Sequence, residues 1–148
     1  MKVLFDTCVV VDILGKSSFF HDAFLAYDIA LFKKMDVCLS VSSTTDIAYL
    51  LHSRGFMSRA DARKMMSVVS DQFDMLDNIA SDVERAAKSK MGDYEDALIA
   101  YAAWRNGVDF IITRCEKDFK YSPVPVLSPT QFVELYRPSC LEYEEVPL

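Results

Sequence analysis

The chain has 148 residues, of which 51% are hydrophobic, and its formal net charge is −6. This length and apolar content suit one domain with a substantial core. The negative charge argues against a non-specific nucleic-acid coat, because phosphate contacts are made mainly by Lys and Arg. No apolar run approaches the roughly 20 residues that a membrane helix needs. Because nothing near Met1 resembles a signal peptide either, we expect a cytoplasmic protein with no membrane partner.

The four cysteines are scattered without a CxxC pair, and the chain has only two histidines. This composition argues against a zinc site and against a disulfide framework. We therefore expect reduced thiols, most of them buried.

Short apolar runs alternate with amphipathic stretches in the first half of the chain. The continuous apolar run KVLF predicts a buried strand, and TCVVVDILG after it predicts a short helix that ends at Gly15. Apolar residues at helical spacing predict a second helix over 18–34, which is followed by a strand over 37–41. STTDIAYLLHSR predicts a helix that begins with hydroxyl residues and ends at Gly55.

The second half continues the alternation of helices and strands. Ser58 is suited to cap a helix over SRADARKMMSVVSDQF, after which DML predicts a brief strand. NIASDVERAAKSK predicts a helix with a basic end, and the next helix, over about 93–106, stops at Asn106-Gly107. DFIIT and PVPVLS predict strands, and PTQFVELY predicts a last helix with Pro129 in its first turn.

Strands separated by amphipathic helices predict a parallel sheet with helices on both faces. In such sheets the ligand binds beyond the carboxyl ends of the strands. Asp6 ends the first strand, Asp96 lies at the start of the helix that leads into the fourth strand, and Asp118 follows that strand. The layout thus offers one place where acids distant in sequence could meet.

Clustered carboxylates repel one another and need a cation or raised pKa values. Oxygen ligands without His or Cys suit Mg²⁺ or Mn²⁺, and such an ion can activate water for attack on a phosphodiester. The acids therefore indicate metal-assisted phosphodiester hydrolysis. The simpler alternative is that they are solvated surface acids or acids at helix N-termini.

Four segments of the chain together resemble the PIN domain, and the closest resemblance is to the small bacterial type found in VapC-like toxins of toxin–antitoxin modules. The segments are VLFDTCVVVDIL, SSTTDIAYLL, DYEDALIAYAAWRNGVDFIITRCEKDF and VPVLSPTQFVE. The resemblance runs from about residue 2 to residue 135. It implies a three-layer α/β/α sandwich with a central parallel sheet of about four to five strands. We place this PIN-like domain at residues 1–137 and an acidic tail at 138–148.

The resemblance implies an endoribonuclease that depends on Mg²⁺ or Mn²⁺, with Asp6 and Asp96 as metal ligands. Asp46 stands where the family commonly has a glutamate, so we expect it to reach the metal only through water. The catalytic acids that the resemblance implies are Asp6, Asp46, Asp96 and Asp118, with Asp93 and Thr113 as accessory residues.

Two cysteines also depart from the family pattern, because Cys8 and Cys115 stand where Asn is frequent. They could tune the site or weaken it. A bridge between them is conceivable, since neighbouring parallel strands would bring them close, but we expect both to stay reduced. Asp12, six residues after Asp6, is assigned a solvated or structural role.

Basic residues in two stretches are candidates for binding the RNA backbone, although solvated faces are the simpler interpretation. They are Arg54, Arg59, Arg63 and Lys64 in one stretch and Lys88 and Lys90 in the other. The expected partners are an RNA substrate, an antitoxin protein and a second copy of the chain.

The alternative function is a catalytically degenerate PIN fold that serves as an RNA-binding or protein-interaction module. A phosphohydrolase of the haloacid-dehalogenase type is disfavoured, because that type requires an Asp-x-Asp-x-Thr motif after the first strand and this chain has FDTCVV there.

Overall fold

Five parallel strands form the centre of the protein in a computed structural model that describes residues 1–140. The order across the sheet is β3-β2-β1-β4-β5, and every neighbouring pair is parallel. The strands are β1 (Lys2–Phe5), β2 (Asp36–Ser40), β3 (Asp74–Leu76), β4 (Phe110–Ile112) and β5 (Val126–Leu127).

Helices cover both faces of the sheet, which confirms the predicted three-layer α/β/α sandwich. Val3 and Phe5 point into the core on one face and Leu4 into the core on the other, which explains why β1 is apolar throughout. Helices α1–α4 and α7 pack on the first face, and α5 and α6 on the second. The helices are α1 (Thr7–Gly15), α2 (Phe20–Phe32), α3 (Ser43–Ser53), α4 (Arg59–Gln72), α5 (Ala80–Lys88), α6 (Tyr94–Arg105) and α7 (Pro129–Tyr136). Within residues 1–140 none of them is both long and apolar enough to span a bilayer.

The direction in which the chain adds strands reverses between β1 and β4. The chain builds β1, β2 and β3 toward one edge of the sheet and then crosses to place β4 on the other side of β1. Phe5 pairs with Ile112 at the carboxyl ends of the two strands, and the Asp6 amide donates to the Ile112 carbonyl at 2.9 Å. Asp6 and Thr113 therefore leave the sheet side by side, at the crevice where ligands of open α/β sheets bind.

Three helices end where the sequence predicts, and the first of them, α1, ends at Gly15. The chain turns at Gly55 after α3 and at Gly107 after α6, and both glycines adopt left-handed backbone angles, with φ of 77° and 70°. Glycine adopts this conformation without the steric cost that a Cβ atom would bring. The helix that carries Asp96 thus has a defined end immediately before β4.

Other helices and strands have different bounds in the structure from those predicted from the sequence. The helix predicted over 18–34 covers only Phe20–Phe32, and a 3₁₀ helix over Glu116–Phe119, which was not predicted, carries Asp118. The strand predicted from PVPVLS shortens to β5, because prolines at 123 and 125 have no N–H to donate. Of the predicted acidic tail, residues 141–148 lie outside the described residues.

An ion pair fixes α6 against α5. The Arg105 guanidinium donates to both carboxylate oxygens of Asp82 at 2.9 Å, and to the carboxylate of Asp77, also at 2.9 Å. Asp82 is fully buried, and the hydrogen bonds from Arg105 lower its pKa. Because both Asp82 oxygens are engaged by one planar group, the pair restrains rotation of α6.

Candidate active site

Asp6 lies at the centre of the polar residues that follow β1 and β4. Its side chain is 4% exposed. Oδ1 accepts a 2.8 Å hydrogen bond from the Thr7 amide at the start of α1. Oδ2 accepts hydrogen bonds from the Thr113 hydroxyl at 2.8 Å and from the Cys8 thiol at 3.4 Å. Burial raises the pKa of Asp6, and these hydrogen bonds act in the opposite direction. Asp6 therefore caps a helix, and it also faces the edge of the sheet where a ligand is expected.

Thr113 is a fully buried hydroxyl residue with a fixed orientation. Its Oγ1 accepts a 3.0 Å hydrogen bond from the Cys115 amide, which leaves the hydroxyl proton for Asp6. Thr113 thus contacts Asp6 directly, and its accessory role stays a prediction.

The first turn of α6 brings three more acids to the same edge. Asp93 is the N-cap, and its Oδ1 accepts a 3.0 Å hydrogen bond from the Asp96 amide. Asp96 itself is half-buried. Burial of its carboxyl, followed by the negative charges of four neighbouring acids, raises the pKa of Asp96 to about 7. Those acids are Asp6, Asp93, Asp118 and Glu95.

Glu95 belongs to this acid cluster, although the sequence did not single it out. Its carboxyl is hydrogen-bonded to the side chain of Asp46, which lies in the first turn of α3. Part of the Glu95 side chain is open to solvent. Desolvation of the carboxyl, then the hydrogen bond and negative charge of Asp46, raises the pKa of Glu95 to about 7. The signal available in the sequence is DYED, three acids within four positions at the start of a helix.

All the predicted acids lie at this edge of the sheet. Asp118 is exposed on the 3₁₀ helix, and its charge acts on Asp96 and Cys115. We use the name "acid cluster" for the carboxylates that act on one another here, namely Asp6, Asp46, Asp93, Glu95, Asp96 and Asp118.

The basic residues predicted to bind RNA are not brought together. Arg59, Arg63 and Lys64 are exposed and line an open depression on α4, and Arg54 is exposed just after α3. Lys88 and Lys90 are exposed at the end of α5, in the helical layer on the opposite face of the sheet. The six residues therefore form two separate surfaces.

Cys8 and Cys115 meet beside Asp6. The Cys8 thiol lies 3.4 Å from Asp6 Oδ2 and 3.9 Å from Thr113 Oγ1, and both cysteines are free. Burial, followed by the charge of Asp6, raises the pKa of both thiols above the usual value for cysteine. Cys8 is thus a protonated donor to Asp6, a hydrogen-bonding role that an Asn amide could also fill.

Asp12 is not solvated, so that part of its predicted role is wrong. Its side chain is 1% exposed and accepts hydrogen bonds from Arg114 Nε at 2.6 Å and Nη2 at 3.2 Å. The Ser17 hydroxyl donates to the same carboxylate at 2.6 Å. The partner that buries Asp12 lies 102 positions away, so helical spacing could not identify it.

The donors at the acid cluster fit a hard divalent cation in their chemistry. They are carboxylate oxygens and one hydroxyl, which suit Mg²⁺ or Mn²⁺. Within residues 1–140, no three His, Cys, Asp or Glu side chains converge closely enough to hold one ion together. Mg²⁺ usually takes one or two carboxylates directly and keeps several waters, so the arrangement remains compatible with such an ion.

This fold is that of a PIN domain. The family model described as the PIN domain matches residues 2–115, and the chain belongs to this family. No curated protein matches the sequence.

Solved structures with a similar fold include several toxin–antitoxin proteins. A chain of VapBC2 from Rickettsia felis, bound to a DNA fragment from its promoter, has a TM-score of 0.65 and 15% identity, covering 86% of this chain and 98% of that chain. A toxin–antitoxin complex from Klebsiella pneumoniae has a TM-score of 0.60 and 19% identity, and the match covers 86% of this chain and 97% of that chain. VapC20 from Mycobacterium tuberculosis is described as a toxin that cleaves the sarcin–ricin loop. It has a TM-score of 0.59 and 14% identity, and the match covers 83% of this chain and 98% of that chain. At these identities the likeness establishes the fold alone.

Proposed function

We propose that this protein is a divalent-metal-dependent endoribonuclease that hydrolyses RNA phosphodiester bonds, and that it is the toxin of a toxin–antitoxin pair. The observation that carries the proposal is the grouping of carboxylates at the carboxyl edge of the sheet, where Asp6, Asp93, Glu95 and Asp118 lie close enough to act on Asp96. Burial of Asp96 and these neighbouring charges raise its pKa to about 7. Carboxylates held this close repel one another and lower the stability of the folded protein unless a bound cation offsets their charge. The PIN family supports a nuclease that uses a divalent ion, and VapC20 is an RNA-cleaving toxin of similar fold.

Asp6 and Asp96 are the residues that would hold Mg²⁺ or Mn²⁺ directly. Asp46, Glu95 and Asp118 would contact the ion through its water ligands. When bound, such an ion makes a coordinated water more acidic and neutralises the negative charge that develops on the phosphate.

The protein's own residues set the geometry for that chemistry. Thr113 and Cys8 hold one oxygen of Asp6, and the Thr7 amide holds the other, so the carboxylate cannot rotate freely. Glu95 shares a hydrogen bond with Asp46 and has a pKa of about 7. Because Glu95 lies beside Asp46 within the acid cluster, it is the proposed acceptor of the proton from the attacking water.

An antitoxin is the proposed regulatory partner. The net charge of −6 and the acid cluster together favour a basic protein segment at this edge of the sheet. The Rickettsia felis and Klebsiella pneumoniae structures are toxin–antitoxin complexes. Binding of such a segment should weaken with salt and compete with divalent metal. A homodimer and a cytoplasmic location remain predictions.

Two observations favour a second candidate, a PIN fold that binds RNA or protein without catalysis. Within residues 1–140 no three acids converge on one ion, and Cys8 and Cys115 stand where Asn is frequent in the family. Such a module would have no need of Mg²⁺ or Mn²⁺, whereas a nuclease would bind it.

The test is cleavage of total RNA by purified protein with Mg²⁺, with Mn²⁺ and with EDTA. We expect cleavage only with metal. Asp6→Asn and Asp96→Asn should each reduce the rate on the order of 100-fold or more, while far-UV circular dichroism stays the same. Asp71→Asn, an exposed acid at the end of α4, is the matched control and should cleave normally. Cleavage that persists in EDTA would contradict the metal mechanism, and absence of both metal binding and cleavage would favour the second candidate.

A further inference from the structure

A second cleft adjoins the acid cluster, and Arg114 forms part of its wall. Arg114 directly follows Thr113, and its positive charge acts on Asp6. On one side it borders the shallow groove that runs to Asp118. On the other side it lines a cleft of about 450 Å³ together with Phe19 and residues of the α2 and α7 N-terminal turns. A ligand chain that contacts the acid cluster can therefore continue past Arg114 into this cleft.

Phe19 presents an aromatic ring to the cleft. The residue is 52% exposed, and the Arg114 guanidinium lies 4.0 Å from the centroid of the ring. This cation–π contact covers part of the ring and restrains it. An exposed ring held in this way can offer its free surface to another planar group.

The ring and its cationic neighbour are anchored to the same buried carboxylate. Asp12 accepts hydrogen bonds from Arg114 Nε at 2.6 Å and from the Ser17 hydroxyl at 2.6 Å. The Ser17 hydroxyl oxygen in turn accepts a 3.1 Å hydrogen bond from the Phe19 amide. The loop that carries Phe19 is thereby fixed before any ligand arrives, which lowers the entropic cost of binding.

The charges in the cleft favour a nucleobase over a phosphate. The charge of Arg114 is already paired with Asp12. Asp22 also lines the cleft, and its carboxylate accepts hydrogen bonds from the Thr130 hydroxyl at 2.8 Å and interacts with His21 at 3.1 Å. A carboxylate repels a phosphate, but it accepts hydrogen bonds from the amino groups of a base.

We infer that this cleft binds one nucleobase of single-stranded RNA, stacked on the free surface of Phe19, while the neighbouring phosphodiester lies at the acid cluster. Aromatic side chains commonly bind unpaired bases in this way. The inference rests on the proposed ribonuclease function and adds a position at which the protein selects and orients its substrate.

The test measures binding of a single-stranded RNA oligonucleotide in EDTA, by fluorescence anisotropy, and cleavage of the same RNA with Mg²⁺. Phe19→Ala should weaken binding on the order of tenfold, the loss expected when one stacked base loses its aromatic partner. In cleavage, this variant should raise KM. Phe19→Trp should bind at least as tightly as the wild type, and Phe19→Leu should behave like Phe19→Ala. Phe24→Ala is the matched control, because Phe24 is also an exposed ring on α2 but does not line the cleft.

A wild-type protein that cleaves RNA while Phe19→Ala binds and cleaves it equally well overturns the inference and leaves the proposed function intact. Equal binding by Phe19→Leu and Phe19→Trp overturns it also, since apolar contact and not stacking would then explain the site. If Phe19→Ala weakened only the binding of a basic peptide, the cleft would belong to a protein partner. Absence of RNA cleavage by the wild type is a different result, because it refutes the proposed function itself.

Discussion

The hydroxyl of Thr113 donates a 2.8 Å hydrogen bond to Oδ2 of Asp6, and the two residues are 107 positions apart in the sequence. The contact joins the carboxyl ends of β4 and β1 at the point where the strand order reverses. Asp6 is almost fully buried, so its charge depends on the few donors that surround it.

Replacing Thr113 should therefore affect both stability and metal binding. Thr113→Val has nearly the same shape but removes a hydrogen bond to a charged group, and we expect it to lower the free energy of unfolding by about 1.5–3 kcal/mol. Thr113→Ser keeps the hydroxyl and is the control. Urea unfolding and calorimetric titration with Mn²⁺ measure the two effects. If the Val variant matched the Ser variant in both, the hydroxyl would not be what holds Asp6.

The raised pKa of Asp96, about 7, predicts how the stability of the metal-free protein depends on pH. The ordinary pKa of an aspartate is about 3.9, so the folded state binds the proton more tightly than the unfolded state does. The Asp96 carboxyl therefore makes its full contribution to the free energy of unfolding below about pH 4. This contribution is lost as the pH rises through about 7. Asp96→Asn removes this dependence and should be more stable than the wild type at pH 8, on the order of 1–2 kcal/mol.

Thermal melts in EDTA at pH 5 and pH 8 measure this difference. Asp71→Asn is again the control, because Asp71 lies outside the acid cluster. An Asp96→Asn variant that melts below the wild type at pH 8 would contradict the prediction. That result would mean that Asp96 serves mainly as a stabilising acid at the N-terminus of α6.

The pair formed by Asp12 and Arg114 should respond unequally to loss of either partner. The Asp12 side chain is 1% exposed and that of Arg114 is 27% exposed. Arg114→Met leaves a carboxylate buried without its cation and should cost about 3–5 kcal/mol. Asp12→Asn leaves a guanidinium that can reach water, so it should cost less. Urea unfolding of both variants tests this order, and the reverse order would show that Asp12 can reach solvent.

The thiols beside Asp6 should react slowly. Burial and the charge of Asp6 keep Cys8 and Cys115 protonated, and only the thiolate is nucleophilic. With limiting iodoacetamide at pH 8, mass spectrometry should find exposed Cys140 modified first. Asp6→Asn should accelerate the modification of Cys8, since one source of the raised pKa is removed. Modification of Cys8 as fast as that of Cys140 in the wild type would contradict this expectation, as would a Cys8–Cys115 disulfide formed under mild oxidant.

Much of the fold could be predicted because the signals for it are local. A continuous apolar run predicts a strand buried on both faces, as in β1, and Gly55 and Gly107 mark helix ends by their backbone freedom. The position of Asp6 follows from the same logic, because the carboxyl end of a central parallel strand is where such folds place a site.

The remaining parts of the site depend on contacts across the fold. Glu95 interacts with Asp46 of α3, and no spacing within α3 or α6 encodes that contact. The apolar pattern of α1 does not predict whether Asp12 is buried or exposed. Its partner, Arg114, follows β4 and is distant in the sequence. Long-range pairs of this kind are set by topology, which the local pattern determines only indirectly.

In the proposed function, Asp6 and Asp96 hold a divalent ion at the carboxyl edge of the sheet. A crystal structure of the protein soaked in Mn²⁺, with anomalous diffraction data, tests this most directly. We expect an anomalous peak within coordination distance of both carboxylates in the wild type, and loss of that peak in Asp96→Asn. A peak at another position, or no peak at a Mn²⁺ concentration that supports RNA cleavage, would contradict it.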